Sequence, residues 1–363
     1  MRKIILVIST QYPGFGGSST NAYAIVKYLR TYGYHAVGIF VDDNTSVEYD
    51  PDKIGEIYRF SLYPFICRVK MKILEYRYFL HDKLQALPSL ILCKNYVAPI
   101  CSKLLYPTIK NIYLVSGLSN IIDICQSIPA SLILSEKKII PKSEKEIVAI
   151  NHSDIIVLNS PLSFELFVQC YPEHQKKIYQ KIVDTSQYIT TMVNKVEITC
   201  PKIYDFIIVA SNLTRVVKNN LFLVNILKRP IYRRYTKIVI GNGNDGFKNI
   251  PNTITFDLLP HNVLMDYMRS SRVLLYPSLY DSNPNTIREA VENHCLVLMS
   301  NNVGYCDVFP KYSVCQSYQE LEWIKKSIYL AKHYYRIIPK YHIDFGSKKE
   351  DIVELINYAL CQK

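Results

Sequence analysis

Apolar residues fall in short unbroken runs along this chain, each closed by a cluster of Gly, Pro, Ser, Asn or Asp and followed by helical periodicity. The first run, KIILVIS at 3–9, has no polar interruption, as expected of a strand buried on both faces of a parallel sheet. TQYPGFGGSSTN then turns the chain, and AYAIVKYLRTYG sets Ala22, Ile25, Val26 and Leu29 on one face of a helix that Gly33 stops. HAVGIFVDD at 35–43 predicts the next strand. Strand, glycine-rich loop, helix, strand is the opening of a doubly wound α/β domain.

From 58 to 110 the pattern is basic, aromatic and less regular, with a helix expected after Pro64 and breaks at Pro88, Pro99 and Pro107. NIYLVSG at 111–117 and SDIIVLNS at 153–160 read as further strands, with a helix after Pro161. QYITTMVNKVEITCP, 187–201, lacks periodicity and is read as a linker. Beyond it the rhythm restarts. YDFIIVAS, KIVIGNG, TITF, VLLYPS and LVLMS predict strands, with helices from about 218, near 262 and from 284. The reading is a first Rossmann-like domain over 1–198 and a second over 199–340. Residues 341–363 end in an amphipathic helix, with Ile352, Leu355, Ile356, Ala359 and Leu360 on one face, expected to cross back to the first domain. Two such open sheets would face a central cleft at the carboxyl ends of their strands, where sheets of this kind bind ligands.

Length agrees with two domains, since 363 residues exceed what one core usually serves. The excess of 43 basic over 31 acidic residues favours an anionic partner: nucleic acid, a phosphate-bearing small molecule or an acidic membrane surface. No compact basic motif supports nucleic acid. The ten cysteines include no CxxC pair, which argues against a zinc site or a disulfide framework and for reduced thiols in a cytoplasmic setting. MRKIILVIST is too short in its apolar part for a signal peptide, and no stretch approaches the roughly 20 apolar residues of a membrane span. Between 58 and 80, Arg59, Arg68, Lys70, Lys72 and Arg77 alternate with Phe60, Tyr63, Phe65, Tyr76 and Phe79. That mixture predicts peripheral contact with an anionic membrane or with an acceptor.

The densest chemistry lies in PSLYDSNPNTIREAVENHCLVLMS, 277–300. A strand ends at Pro277 and Ser278. Ser282 or Asn283 is placed to cap a helix whose first position suits Pro284, because proline's missing N–H is not needed there. The first-turn N–H groups, those of Asn285 and Thr286 among them, would then face a ligand, and helix starts bind phosphate through such donors. Asp281 sits in the loop before the helix and Glu289 about a turn and a half inside it, so a ligand could be held at three points.

This segment resembles the acidic E-x7-E signature of retaining glycosyltransferases of GT-B fold, especially glycosyltransferase family 4, with Asp281 in place of the first Glu and Glu289 as the second. The resemblance implies Asp281 on the sugar side, Glu289 on the nucleotide ribose, and the amides between them on the diphosphate. YPGFGGSSTN is similar to the family's N-terminal loop, which puts Gly16 and Gly17 close to donor phosphate or acceptor. ASNLTRVVKNN matches the family's basic pair at Lys218; the Arg expected five residues earlier is Leu213, and Arg215 is the substitute. KIVIGNGN implies Gly241 and Gly243 beside the nucleotide, and FDLLPHN puts Leu258 near the base. His81 and His152 read as structural, so the N-terminal His that many members carry has no equivalent here. By the resemblance the chain is an enzyme of glycan biosynthesis. It would move a sugar from a nucleotide-diphosphate-sugar to a glycan, lipid or protein acceptor, with retention and without metal or cofactor. Catalysis would rest on Asp281, Lys218 and Arg215. A nucleotide-sugar epimerase, a catalytically degenerate nucleotide-sugar-binding protein and a nucleic-acid-binding module stay open as rivals.

Overall fold

The computed structural model describes residues 3–10, 17–42, 57–127, 142–190 and 201–362. Twelve strands form two parallel six-stranded sheets. The first holds β1 (Ile4–Ser9), β2 (His35–Val41), β3 (Ile57–Phe60), β4 (Leu90–Lys94), β5 (Asn111–Leu114) and β6 (Ile155–Val157). The second holds β7 (Tyr204–Asn212), β8 (Lys237–Asn242), β9 (Thr253–Phe256), β10 (Ser271–Tyr276), β11 (Leu296–Ser300) and β12 (Val314–Cys315). Their spatial orders, β3-β2-β1-β4-β5-β6 and β12-β11-β10-β7-β8-β9, are the same 3-2-1-4-5-6 arrangement, the Rossmann order.

The unbroken apolar runs follow from this topology. Crossover helices cover both faces of a parallel sheet, so alternate side chains of β1 point into two different cores and all six residues are buried. Ile5 and Val7 pack on one side with Ala22, Ile25, Val26 and Leu29 of the helix Gly17–Thr31. Ile4, Leu6 and Ile8 pack on the other with Leu80 and Leu84 of the helix Lys70–Leu84. The helix Pro161–Cys170 shows how local signals set an element's start: Pro161 opens it, and the Ser160 hydroxyl accepts a hydrogen bond from the Ser163 amide at 3.2 Å.

By contacts, the first compact unit comprises Met1–Asn120, Pro141–Ile189 and Ser347–Lys363, and the second comprises Ile121–Ile140 and Thr190–Gly346. The terminal helix Asp351–Cys361 belongs to the first unit, with Ile352, Leu355, Ile356 and Ala359 buried in its core. Two strands of the irregular 58–110 region, β3 and β4, were not expected. β3 is a four-residue edge strand with Arg59 exposed, and LILCK in β4 is a five-residue apolar run that periodicity cannot separate from buried helix. Within the stretch read as a linker, Gln187–Thr190 is a short helix, and 191–200 lie outside the described residues.

Candidate functional site

In the second sheet the strand order reverses between β7 and β10, which are hydrogen-bonded neighbours. Loops leaving the carboxyl ends of two such strands diverge and open a ligand crevice. Here they are tied at fixed points. The Leu279 amide and the Ser278 hydroxyl both donate to the Val217 carbonyl, at 2.8 and 3.1 Å. The Ser278 carbonyl in turn accepts from Ser300 Oγ at 2.5 Å and Tyr318 Oη at 2.8 Å. Asp281 bridges to Val303, and its carbonyl takes the Gly304 amide at 2.7 Å. The loops after β7, β10 and β11 are thus held as one piece.

Three side chains converge on it. Lys218, at the end of the turn Val216–Lys218, points its Nζ to Asp281 Oδ2 at 2.6 Å and to Tyr276 Oη at 2.7 Å. The Tyr276 hydroxyl donates to the same Asp281 Oδ2 at 2.6 Å, and the ammonium lies 5.0 Å from the Tyr276 ring centroid. Asp281 Oδ1 accepts the Asn283 amide at 3.3 Å. Burial alone would raise the Asp281 carboxyl, but the Lys218 charge and hydrogen bond, joined by Tyr276, outweigh it and keep the acid below the usual carboxylate range. Burial first, and then the adjacent Asp281, push the Tyr276 hydroxyl well above the ordinary tyrosine range, so it remains a donor. Two of the three Lys218 N–H donors are engaged, and its side chain is only 18% exposed. The result is a cation fixed in direction at the crevice.

The helix Asn285–Glu292 starts one residue later than expected. Pro284, with extended backbone, is its cap, and the Ser282 or Asn283 cap is not formed. Proline serves here because a cap residue's own N–H takes no part in the helix ladder. Asn285 Oδ1 is buried without a hydrogen-bond partner among the described residues, Thr286 is half-buried, and Ser282 is buried. Glu289 is buried on the helix flank and bonds His261 Nε2 at 3.1 Å. That hydrogen bond, against the opposing effect of burial, raises the His261 imidazole above its ordinary value. His261 opens the helix His261–Arg269 and was not singled out in the sequence, where it looks like any residue following a proline.

Gly241 and Gly243 lie where β8 turns against the end of β7. At Gly241, φ is +143° and an added Cβ would stand 1.8 Å from the Ala210 carbonyl oxygen. At Gly243, φ is +77° and the Cβ would meet Thr214 at 2.4 Å. Arg215 is exposed, and its charge acts on the Tyr276 hydroxyl. Leu213, at the position of the family's Arg, is a core residue, so no cation could stand there without unpacking the unit. Leu258 is 56% exposed after β9. Gly17 is the first residue of its helix, and Gly16 lies outside the described residues. The structure therefore brings Lys218 and Asp281 into direct contact and adds Tyr276, bonded to both, which sequence reasoning missed. It sets Glu289 apart from them, on His261.

No protein-family model and no curated protein sequence matches the chain. Solved structures do. The sucrose-phosphate synthase of Thermosynechococcus elongatus superposes with a TM-score of 0.67 over 100% of both chains at 13% identity. The catalytic domain of starch synthase IV from Arabidopsis thaliana, bound to ADP and acarbose, gives 0.68 over 99% of this chain and 100% of that one at 11% identity. Anabaena HepE, in complex with UDP and glucose, gives 0.63 over 98% and 100% at 13% identity. The chain has the GT-B fold. Both sheets of this GT-B chain carry the same strand order, and the Lys218–Tyr276–Asp281 cluster marks the reversal point of the second.

Proposed function

We propose that this chain is a metal-independent retaining glycosyltransferase that takes a nucleotide-diphosphate-sugar as donor and a glycan, lipid or protein hydroxyl as acceptor. The observation that carries the reading is the hydrogen-bonded, half-buried Lys218–Tyr276–Asp281 cluster at the reversal point of the second sheet. Transfer breaks the bond from sugar to diphosphate, and negative charge grows on the departing phosphate oxygens. A fixed ammonium, the Arg215 guanidinium and the amides of Asn285 and Thr286 would meet that charge without reorganising. Glu289, oriented by His261, would accept ribose hydroxyls, with Gly241 and Gly243 giving the backbone room beside the nucleotide and Leu258 near its base. Asp281, on the sugar side, would direct the Lys218 ammonium as well as contact the donor. The free cysteines among the described residues, most of them buried, suit a reducing, cytoplasmic setting.

A second reading, a nucleotide-sugar-binding protein without turnover, is favoured by the same ion pair: Asp281 already neutralises Lys218, and core-buried Leu213 removes a second cation.

Thermal shifts with UDP-, GDP-, ADP- and dTDP-sugars, followed by assay of released nucleoside diphosphate, test both. The expected result is a rise in Tm with one base, lost in Glu289→Ala, with release that falls about 100- to 1,000-fold in Lys218→Ala. A shift without release in the presence of acceptors supports the second reading. Turnover of the donor's sugar without any acceptor points to an epimerase. No shift from any nucleotide, in a folded sample, refutes the donor site.

A further inference from the structure

In the second unit, the helix His261–Arg269 is tied to the helix Asn285–Glu292 at both of its own ends. At its last residue, Arg269 Nε donates to Asn293 Oδ1 at 3.1 Å, and Asn293 Nδ2 donates to the Glu289 carbonyl at 2.8 Å. At its first, the 3.1 Å bond between His261 Nε2 and Glu289 Oε1 closes the pair. The His261 side chain is 51% exposed and the Glu289 side chain 10%. Solvent protons therefore reach the imidazole, while the carboxylate is held in one place. Glu289 Oε2 accepts no hydrogen bond among the described residues and is left for a ligand.

What this contact does depends on the proton. A neutral imidazole can turn either a bare Nε2, which the carboxylate repels, or an Nε2–H towards Glu289, whereas the imidazolium always donates. Protonation also takes the pair from net negative to neutral. Burial and the positive end of its own helix oppose a charge on His261, but the bond to Glu289 prevails and raises the imidazole above its ordinary value. Among the charged groups of the neighbouring elements, Glu289 is the one that acts on the imidazole. Asp266 pairs with Arg269 at 3.0 Å, and Arg272 of β10 with Asp205 at 2.8 Å. Asp257 accepts from Asn244 Nδ2 at 3.1 Å. Arg288 and Glu292 share the helix of Glu289, and the Arg288 guanidinium lies 4.1 Å from the Phe345 ring centroid.

We propose that His261 is a proton-gated positioning residue: its imidazolium fixes the Glu289 carboxylate for the ribose and cancels its charge, so a nucleotide-sugar binds more tightly when His261 is protonated. The proposal rests on the reading of Glu289 as the ribose contact of the donor. A nucleotide-sugar carries an anionic diphosphate, and a pair left net negative above the His261 midpoint repels it. Affinity therefore falls as pH rises. Asp281, held low, and Tyr276, held high, keep their charge states between pH 6 and 8.5. Lys94 and Lys237, whose amines burial brings down to about 7 and about 8, do change charge in that window, so the contribution of His261 has to be isolated by substitution.

UDP-glucose, GDP-mannose, ADP-glucose and dTDP-glucose serve as probes, because the diphosphate of a nucleotide-sugar keeps its charge across the same window. Calorimetry gives Kd for the full chain, wild type against His261→Gln, with Tm as the fold control. Glutamine keeps an N–H donor for Glu289 and never carries a charge. Wild type is expected to bind one of the probes about three- to tenfold more weakly at pH 8.5 than at pH 6, and His261→Gln to lose most of that dependence. By linkage the same probe should raise the titration midpoint of His261, followed through its imidazole proton resonances, by about 0.5–1 pH unit. A flat wild-type profile, the same slope in both proteins, or a midpoint unmoved by the bound probe overturns the proposal while the donor site stands. Binding of no probe at any pH overturns the donor reading, and this proposal with it.

Discussion

Lys94 closes β4 at the reversal point of the first sheet, 1% exposed, with its ammonium on the Thr185 hydroxyl at 2.9 Å. Burial, opposed by the more distant Asp184, brings its pKa down to about 7 from the ordinary 10.5. Between those two values the unfolded chain holds the proton more tightly than the folded one, so stability rises with pH across the window. Below pH 7 the folded state carries the charged amine at full cost. Replacing Lys94 by Met should therefore stabilise the protein most at pH 6, by up to a few kcal/mol (~2–4). The gain should shrink steadily towards pH 10. Urea unfolding at the two ends of the window measures it, and a gain that ignores pH would show that the amine is not the cause. At this scale the candidate site was half legible. Asp281, Glu289 and Lys218 could be named from spacing and resemblance, because helix starts and acidic pairs have local signatures. Tyr276 could not, since an aromatic ending an apolar strand looks like core until a partner 58 residues away, Lys218, is seen against it. His261 was hidden for the same reason, its partner being Glu289 on another helix.

At the scale of elements, the end of β8 and the turn that follows it leave little room for a side chain. Gly241 faces a backbone carbonyl that cannot swing aside, whereas Gly243 faces only the methyl of Thr214. Gly241→Ala should thus cost about 2–4 kcal/mol and Gly243→Ala clearly less, both read from urea midpoints. Equal costs would mean that the β7–β8 contact relaxes more easily than its geometry implies. The buried strands of the second sheet were readable because each is a continuous apolar run closed by turn residues. β3 and β4 were not. Prolines at 88 and 99 break the pattern around β4, and β3, at the sheet edge, is too short and too exposed to show a period.

Over the whole molecule, two copies of one topology sit in a chain that enters the second unit and returns to the first. Four apolar side chains of the returning helix, Ile352, Leu355, Ile356 and Ala359, are buried in the first unit's core. Their burial is worth on the order of 5–8 kcal/mol at most. A chain ending at Gly346 should then lose amide-exchange protection in β1–β6 and keep it in β7–β12. Mass-spectrometric hydrogen exchange distinguishes the two sheets, and unchanged protection in β1–β6 would remove the helix from that core's stability. The fold class was legible at this level because strand, turn and helix repeat twice. The assignment of Ile121–Ile140 to the second unit was not, since nothing in its composition separates it from its neighbours.

That returning helix also sets a timetable. On a ribosome adding about 5–20 residues per second, domains normally close in the order they emerge. Here the first unit must wait, its hydrophobic face at Tyr188 and Leu29 uncovered, while everything from Thr190 to Gly346 is synthesised. The unit that starts first is the one that finishes last, and in the interval it is the natural client of a chaperone.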